Sequence, residues 1–279
     1  DVSHEEMISI LKKLSFEIDE TGRITVPSWR GDVKEMADLA EEVARFHGYN
    51  NIPVTLMRGQ TTLGGYSEAQ QLERTLGAVC RTCGYDEIIT YSFISPTYYD
   101  KIRWPEDYQR RNSFKILNPL GEDTSIMRTI ALPSMLDILS RNYAYHNKAV
   151  KLYELAKIYL PQEGQPLPRE PKMLVLGSYG AHETFFRLKG EVEAIFTALN
   201  LPKAEYEAEA NHPAFHPGRC AKVSMGGKVL GYLGQIHPLV AKNYGIDGEI
   251  YCAELDLTDA FALRLPDPTY HPLPKYPGV

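Results

Sequence analysis

Residues 26–53 read Val26-Pro27-Ser28-Trp29-Arg30-Gly31-Asp32-Val33-Lys34-Glu35-Met36-Ala37-Asp38-Leu39-Ala40-Glu41-Glu42-Val43-Ala44-Arg45-Phe46-His47-Gly48-Tyr49-Asn50-Asn51-Ile52-Pro53. Asp32 and Glu35 form a capping pair, with Asp32 as an ordinary N-cap. The spacing predicts a helix that buries Val33, Met36, Ala40, Val43 and Phe46 or His47. Gly48 is its stop signal, and Asn50-Asn51-Ile52-Pro53 closes the unit.

Upstream, Ser3 and Glu6 have capping-box spacing, and Met7, Leu11 and Leu14 supply an apolar stripe at helical spacing. Strand-like runs at Ser15–Ile18 and Arg23–Val26 flank a Thr21-Gly22 turn. Helix, hairpin, helix in about 50 residues is too little for a robust core. It suits most of a small winged-helix-like module that lacks its first element. The chain opens without an initiating Met or a signal-peptide pattern, which reads as a cut inside a larger protein.

Downstream, residues 54–65 carry three glycines and read as a linker. A helix is expected over Ser67–Cys83, with Leu72, Leu76, Val79 and Cys83 on one side, then a strand at Glu87–Phe93. Leu132, Met135, Leu136 and Leu139 predict a helix over Leu132–Tyr143. Leu188, Val192, Ile195, Phe196 and Leu199 predict another. Strand-like runs lie at Lys151–Leu160, Met173–Tyr179, Cys220–Met225, Lys228–Ile236 and Ile250–Leu257, with Gly226-Gly227 as a hairpin turn. The expected class is α+β: an antiparallel sheet with helices packed on one face. Residues 266–279 carry five prolines and no closing element, and read as a linker into a further domain.

The net charge of −6 argues against broad, charge-driven binding to nucleic acid, which needs a clearly basic surface. Four cysteines in 279 residues suggest a reducing compartment rather than a disulfide framework. No run of about 18 uncharged apolar residues is present, so no membrane partner is expected.

The stretch from Val26 to Pro53 resembles the end of the B5 domain of bacterial phenylalanyl-tRNA synthetase β subunits. The resemblance continues in order through Asn118-Pro119-Leu120, Met127-Arg128-Thr129, Leu152-Tyr153-Glu154, His216-Pro217-Gly218-Arg219 and Gly231-Tyr232-Leu233-Gly234-Gln235-Ile236-His237-Pro238. These fall in that subunit's class II synthetase-like core. Lys275-Tyr276-Pro277 resembles the entry to its anticodon-binding domain. The resemblance implies three parts: a truncated B5 domain at 1–55, a non-catalytic class II synthetase-like core at 66–265 and a linker at 266–279. It also implies a cytoplasmic α2β2 enzyme that joins phenylalanine to tRNA(Phe) with ATP. The implied partners are the catalytic α subunit, where ATP is expected, and tRNA(Phe). Editing would belong to an upstream domain.

The resemblance further places magnesium-binding carboxylates at Asp32, Asp38, Glu41 and Glu42. Asp38, Glu41 and Glu42 stand at i, i+3 and i+4, on one helix face, where a divalent cation would relieve their repulsion. Magnesium usually takes one or two carboxylates and keeps several waters, so a partly water-mediated ion is expected. The plainer reading gives Asp32 to the cap and pairs Glu41 with Arg45 four residues on.

A class II active site handles the α-phosphate of ATP with arginines, whose planar forks make bidentate contacts. The strand resembling the second class II motif, Lys151–Leu160, is followed by Pro161 and by no arginine before Arg169. No glycine-rich, arginine-terminated segment follows Ile250–Leu257. The core is therefore expected to keep the fold without adenylating phenylalanine. The helix at Ser67–Cys83 and the strand after it occupy the place of the dimerisation motif and are expected to face the α subunit. Their apolar stripe reads equally as plain core.

Cys80 and Cys83 have C-x-x-C spacing but no second pair, and read as helix cysteines rather than a zinc site. His212, His216 and His237 each precede proline and read as loop residues. Arg110-Arg111 beside Tyr108 reads as an exposed loop. Two other functions compete with the subunit reading. One is a stand-alone winged-helix nucleic-acid-binding protein, disfavoured by the acids on the 33–48 helix. The other is an active class II ligase, disfavoured by the missing arginines.

Overall fold

Ser3 caps the first helix, α1 (His4–Lys13), by accepting a hydrogen bond from the Glu6 N–H. The capping spacing at Ser3 is thus used, while basic Lys12 and Lys13 sit at the C-terminal end, where the helix dipole favours them. The chain then forms a short antiparallel pair, β1 (Glu17–Ile18) and β2 (Ile24–Thr25), and a second helix, α2 (Met36–His47). The computed structural model describes residues 2–272, so the resemblance at Lys275-Tyr276-Pro277 lies outside the described residues. The chain divides into two compact units, Asp1–Gly64 and Gly65–Val279.

In the first unit Ile10, Leu11, Phe16, Val33 and Val43 form the core, with Leu14, Ile24 and Leu39 packed against it. The buried face of α2 differs from the expected one. Met36 and Phe46 are 75% and 52% exposed, Ala40 is exposed too, and the half-buried Leu39 and buried Glu42 flank the helical side of the core instead. The helix begins at Met36, three residues later than an Asp32 cap would place it. Asp32 is not the cap, because its carboxylate is turned to Arg30. The Asp38 carboxylate reaches back instead and accepts from the N–H groups of Lys34 and Glu35 at 2.7 and 2.8 Å.

The second unit opens with α3 (Glu68–Thr82), closed at its start by a reciprocal Ser67–Gln70 capping box. The expected strand over Glu87–Phe93 is interrupted. Only β3 (Asp86–Glu87) and β4 (Phe93–Ile94) are strand, separated by an extended run. Then come α4 (Thr97–Lys101), β5 (Ile126–Met127), which pairs with β4, and α5 (Leu132–Ala144). The long strands are β6 (Val150–Lys157), β7 (Lys172–Tyr179), β9 (Phe215–Met225), β10 (Lys228–Ile236) and β11 (Ile250–Asp256), with β8 (Glu205–Ala208) at one edge. Helices α6 (Phe185–Ala198), α7 (Pro238–Asn243) and α8 (Leu257–Phe261) complete the unit.

The seven strands run in the order β3-β6-β7-β11-β10-β9-β8, antiparallel except for the parallel β3–β6 pair. Gly226 and Gly227, both at positive φ, turn β9 into β10 as the sequence predicts. Helices cover both faces of this sheet rather than one. Along β7, Met173, Val175 and Tyr179 join α5 in one core, while Leu174 and Leu176 join α3 and α6 in the other. Continuous apolar runs such as Met173–Leu176 follow from burial on both sides. Gly177 lets α5 approach closely, since a Cβ there would lie 2.6 Å from Cγ of Met135.

Candidate functional site

Three features carry functional chemistry: the acids of the first unit, a polar row on one sheet face, and an apolar run beside the sheet's β3 edge.

In the first unit, Arg30 brings two of the four expected ligands together. Its Nη2 lies 2.7 Å from Asp32 and 2.8 Å from Glu42. Arg45 closes on the other Glu42 oxygen at 2.5 Å, so its partner is Glu42 and not Glu41. These guanidinium contacts hold Glu42 and Asp32 below the usual carboxylate range. Asp38 is also lowered, by the two backbone N–H donors, against desolvation and the like charge of Asp32. Glu41 is exposed. Among the described residues no three His, Cys, Asp or Glu side chains are grouped to hold a metal ion. With a guanidinium between Asp32 and Glu42, the acids as arranged do not fit magnesium.

In the second unit, two motifs far apart in sequence meet inside the fold. Arg128 and Glu154, 2% and 3% exposed, form an ion pair at 3.1 Å. Arg128 also donates to the Lys157 carbonyl and to Oγ1 of Thr90, and Thr90 donates to Glu154. The pair is tolerated in the core because the surrounding hydrogen bonds satisfy both charges. Glu154 and Glu254 lie opposite the same β7 residue, Val175, from the two neighbouring strands. Glu254 accepts from the N–H of Ala131 at the start of α5, and burial raises its pKa. Glu254 could have been flagged as an acid flanked by Ala253 and Leu255, and Glu154 as one flanked by Tyr153 and Leu155.

The Thr90 anchor also fixes the run after α3. Thr90 and Ser92 point inward, while Ile89, Tyr91 and Phe93 are 91%, 82% and 44% exposed. Leu117 and Leu120 are fully exposed as well. The stripe on α3 itself is core: Leu76 and Cys80 are buried, and Leu72, Val79 and Cys83 pack against the same cluster.

Arg169 returns to the sheet by a backbone bridge to Leu160, and its guanidinium is engaged by Asp256 at 3.0 Å and Asp259 at 3.7 Å. Cys80 and Cys83 are free, and burial pushes the Cys80 thiol up to about 12. His212, His216 and His237 each accept at Nδ1 from the N–H two residues on, because the proline between has none to give. His216 stands in β9 rather than in a loop. Arg111 pairs with Asp100 at 2.6 Å, whereas Arg110 is exposed. No helix among the described residues is long and apolar enough to cross a membrane.

Two family models match the chain: "tRNA synthetase B5 domain" over residues 1–49, and "Phenylalanyl tRNA synthetase beta chain CLM domain" over residues 52–257. The chain is 42% identical over its whole length to the phenylalanine–tRNA ligase beta subunit of Clostridium tetani. It is 40% identical to that of Clostridium acetobutylicum, again over its whole length. In each case it spans 36% of the relative's length. A solved pyrrolysyl tRNA synthetase from Desulfitobacterium hafniense superposes with a TM-score of 0.55 at 17% identity, covering 68% of this chain and 64% of that one. That likeness identifies the mixed sheet of the second unit as a class II synthetase fold. The chain belongs to the phenylalanine–tRNA ligase beta-subunit family.

Proposed function

We propose that this chain is a non-catalytic supporting part of phenylalanine–tRNA ligase, which joins L-phenylalanine to tRNA(Phe) with ATP in the cytoplasm. Its second unit docks the catalytic α subunit of an α2β2 assembly and supports the bound tRNA. One observation carries this reading: Ile89, Tyr91 and Phe93 project from a run whose intervening Thr90 is pinned to the buried Arg128–Glu154 pair. Rigid exposed apolar groups of this kind mark an interface, since soluble monomers seldom display them together. The domain reading goes with it: B5 at 1–55, core at 66–265, linker at 266–279. The chain alone does not adenylate phenylalanine, because Arg169 at the end of the β6 loop is already engaged by two carboxylates. Phenylalanine-dependent ATP–pyrophosphate exchange by the isolated chain is expected to stay at background. Measurable exchange would overturn that part. The stand-alone nucleic-acid-binding reading is disfavoured by Asp38 and Glu41 on α2, which phosphates would repel.

Magnesium at Asp32, Asp38, Glu41 and Glu42 is a second proposal. It rests on Asp38 and Asp32 standing close enough for their like charges to interact, and it requires Arg30 to leave Asp32 and Glu42. Manganese-soaked crystals test it: an anomalous peak among these carboxylates supports it, and a clean map there counts against it.

A further inference from the structure

The His216-Pro217 and His237-Pro238 motifs meet at one corner of the sheet. Phe215 and Ile236 face each other on β9 and β10, and each histidine is the next residue along the chain. Such a diagonal pair stands about 7–8 Å apart. The His237 N–H also donates across to the Ala214 carbonyl at 2.9 Å.

The turn after each histidine fixes what its ring offers. The Gly218 N–H donates to Nδ1 of His216 at 3.0 Å, and the Leu239 N–H to Nδ1 of His237 at 3.1 Å. A ring nitrogen that accepts carries no proton, so each neutral ring holds its proton on Nε2 and presents it as a donor. Burial, then the charges of Arg103 and His216, lowers the His237 pKa and keeps that ring neutral at neutral pH. Glu249, the acid beside His216, is taken by Arg219 at 2.7 Å and by the Tyr251 hydroxyl at 2.6 Å.

Arg103 supplies the charge. Its N–H donates to the Asp100 carbonyl at 2.9 Å, and that of Trp104 to the Tyr99 carbonyl at 3.0 Å, which closes α4 in a Schellman turn. Arg103 has a φ of +64°, where glycine is the ordinary residue. Asn243 donates to the Lys101 carbonyl at 2.8 Å and ties this turn to α7, the helix that His237 caps. The exposed Arg103 guanidinium reaches the Pro213 carbonyl at 3.4 Å and makes no ion pair among the described residues.

The corner thus offers one guanidinium and two neutral N–H donors from three separate elements, with a single positive charge. A carboxylate is met by one arginine fork in its own plane. The tetrahedral oxygens of a phosphodiester suit donors arriving from several directions, and it too carries one charge. We propose that Arg103, His216 and His237 bind a phosphodiester of an RNA backbone. Such a contact positions RNA without reading its sequence. With a net charge of −6, the chain needs a local patch of this kind. The proposal rests on the tRNA-supporting reading above and assigns residues to it.

The test follows binding of labelled tRNA(Phe), and of an unrelated tRNA, to the chain by fluorescence anisotropy across a salt series. Arg103→Gly removes the charge at a position glycine fits, so the turn is kept. His216→Asn with His237→Asn keeps an acceptor for each turn N–H and deletes the Nε2 donors. Arg103→Gly is expected to weaken both RNAs about tenfold and to reduce the salt slope by about one. The double asparagine variant should weaken binding by a similar factor with the slope unchanged, since neutral donors release no counterion. Binding indifferent to Arg103→Gly overturns the proposal and leaves tRNA support standing. Absence of tRNA binding by the unaltered chain overturns both.

Discussion

Arg128 holds Glu154, Thr90 and a backbone carbonyl at once from a position only 2% exposed. Removing it leaves the Glu154 carboxylate buried beside Thr90 without its countercharge. Arg128→Ala is therefore expected to cost about 3–5 kcal/mol, the usual penalty for orphaning a buried partner, read from chemical denaturation of the chain. A loss below about 1 kcal/mol would show that the pair is water-accessible. The acids of the two units also answer pH with opposite signs. Asp32, Asp38 and Glu42 are lowered in the fold, so they stabilise the first unit above their ordinary values, and this is lost as pH falls through their folded values. Glu254 is raised, so it withdraws stability from the second unit as pH rises from about 4.5 towards its folded value. Hydrogen exchange resolved by residue should show α1 and α2 loosening first as pH is lowered below about 4.5, and Glu42→Gln should reduce that sensitivity. Uniform loosening of both units would contradict it. Little of this was legible beforehand. Asp32 and Asp38 were visible as acids near a helix start, but Arg30 lies 12 residues from Glu42, and its choice of partners is set by the fold.

At the scale of elements, helical periodicity located α3, α5 and α6 to within a few residues, because each has a strong apolar stripe and a clear start. The long strands were legible from their apolar runs, Met173–Leu176 in β7 and Ile250–Ala253 in β11. Two misreadings have physical causes. Glu87–Phe93 has strand composition, yet a strand needs a partner, and Thr90 is drawn to Glu154 instead of a neighbouring ladder. Helices were expected on one face because periodicity marks a buried stripe without saying which side of the sheet it covers. The close seat of α5 gives a direct check. Gly177→Ala pushes a methyl against Met135 and is expected to cost about 1–3 kcal/mol by overpacking. Shortening the opposing side chain in a Gly177→Ala, Met135→Ala double variant should recover part of it. Thermal denaturation of the three proteins checks both steps, and independent, additive losses would contradict direct contact.

At the scale of the whole molecule, the second unit keeps a synthetase-type sheet with both faces filled, and Ile89, Tyr91 and Phe93 stand exposed just after β3 while the α3 stripe is core. The family was legible from motifs such as Met127-Arg128-Thr129 and Leu152-Tyr153-Glu154. Their physical purpose emerged only when the fold joined Arg128 to Glu154 beneath the Ile89–Phe93 run. In the proposed docking surface, that buried pair is the support and the apolar run is the contact. The most direct test is the affinity of the cognate α subunit for the chain, wild type against an Ile89→Asp, Tyr91→Asp double variant whose fold is verified by circular dichroism. Both positions are exposed, so folding is expected to survive. The wild type should form a stable complex, and the variant should bind at least about thirtyfold more weakly, as loss of central apolar anchors does. Equal affinity of the two proteins, or no complex with the wild type, would contradict the proposed docking surface.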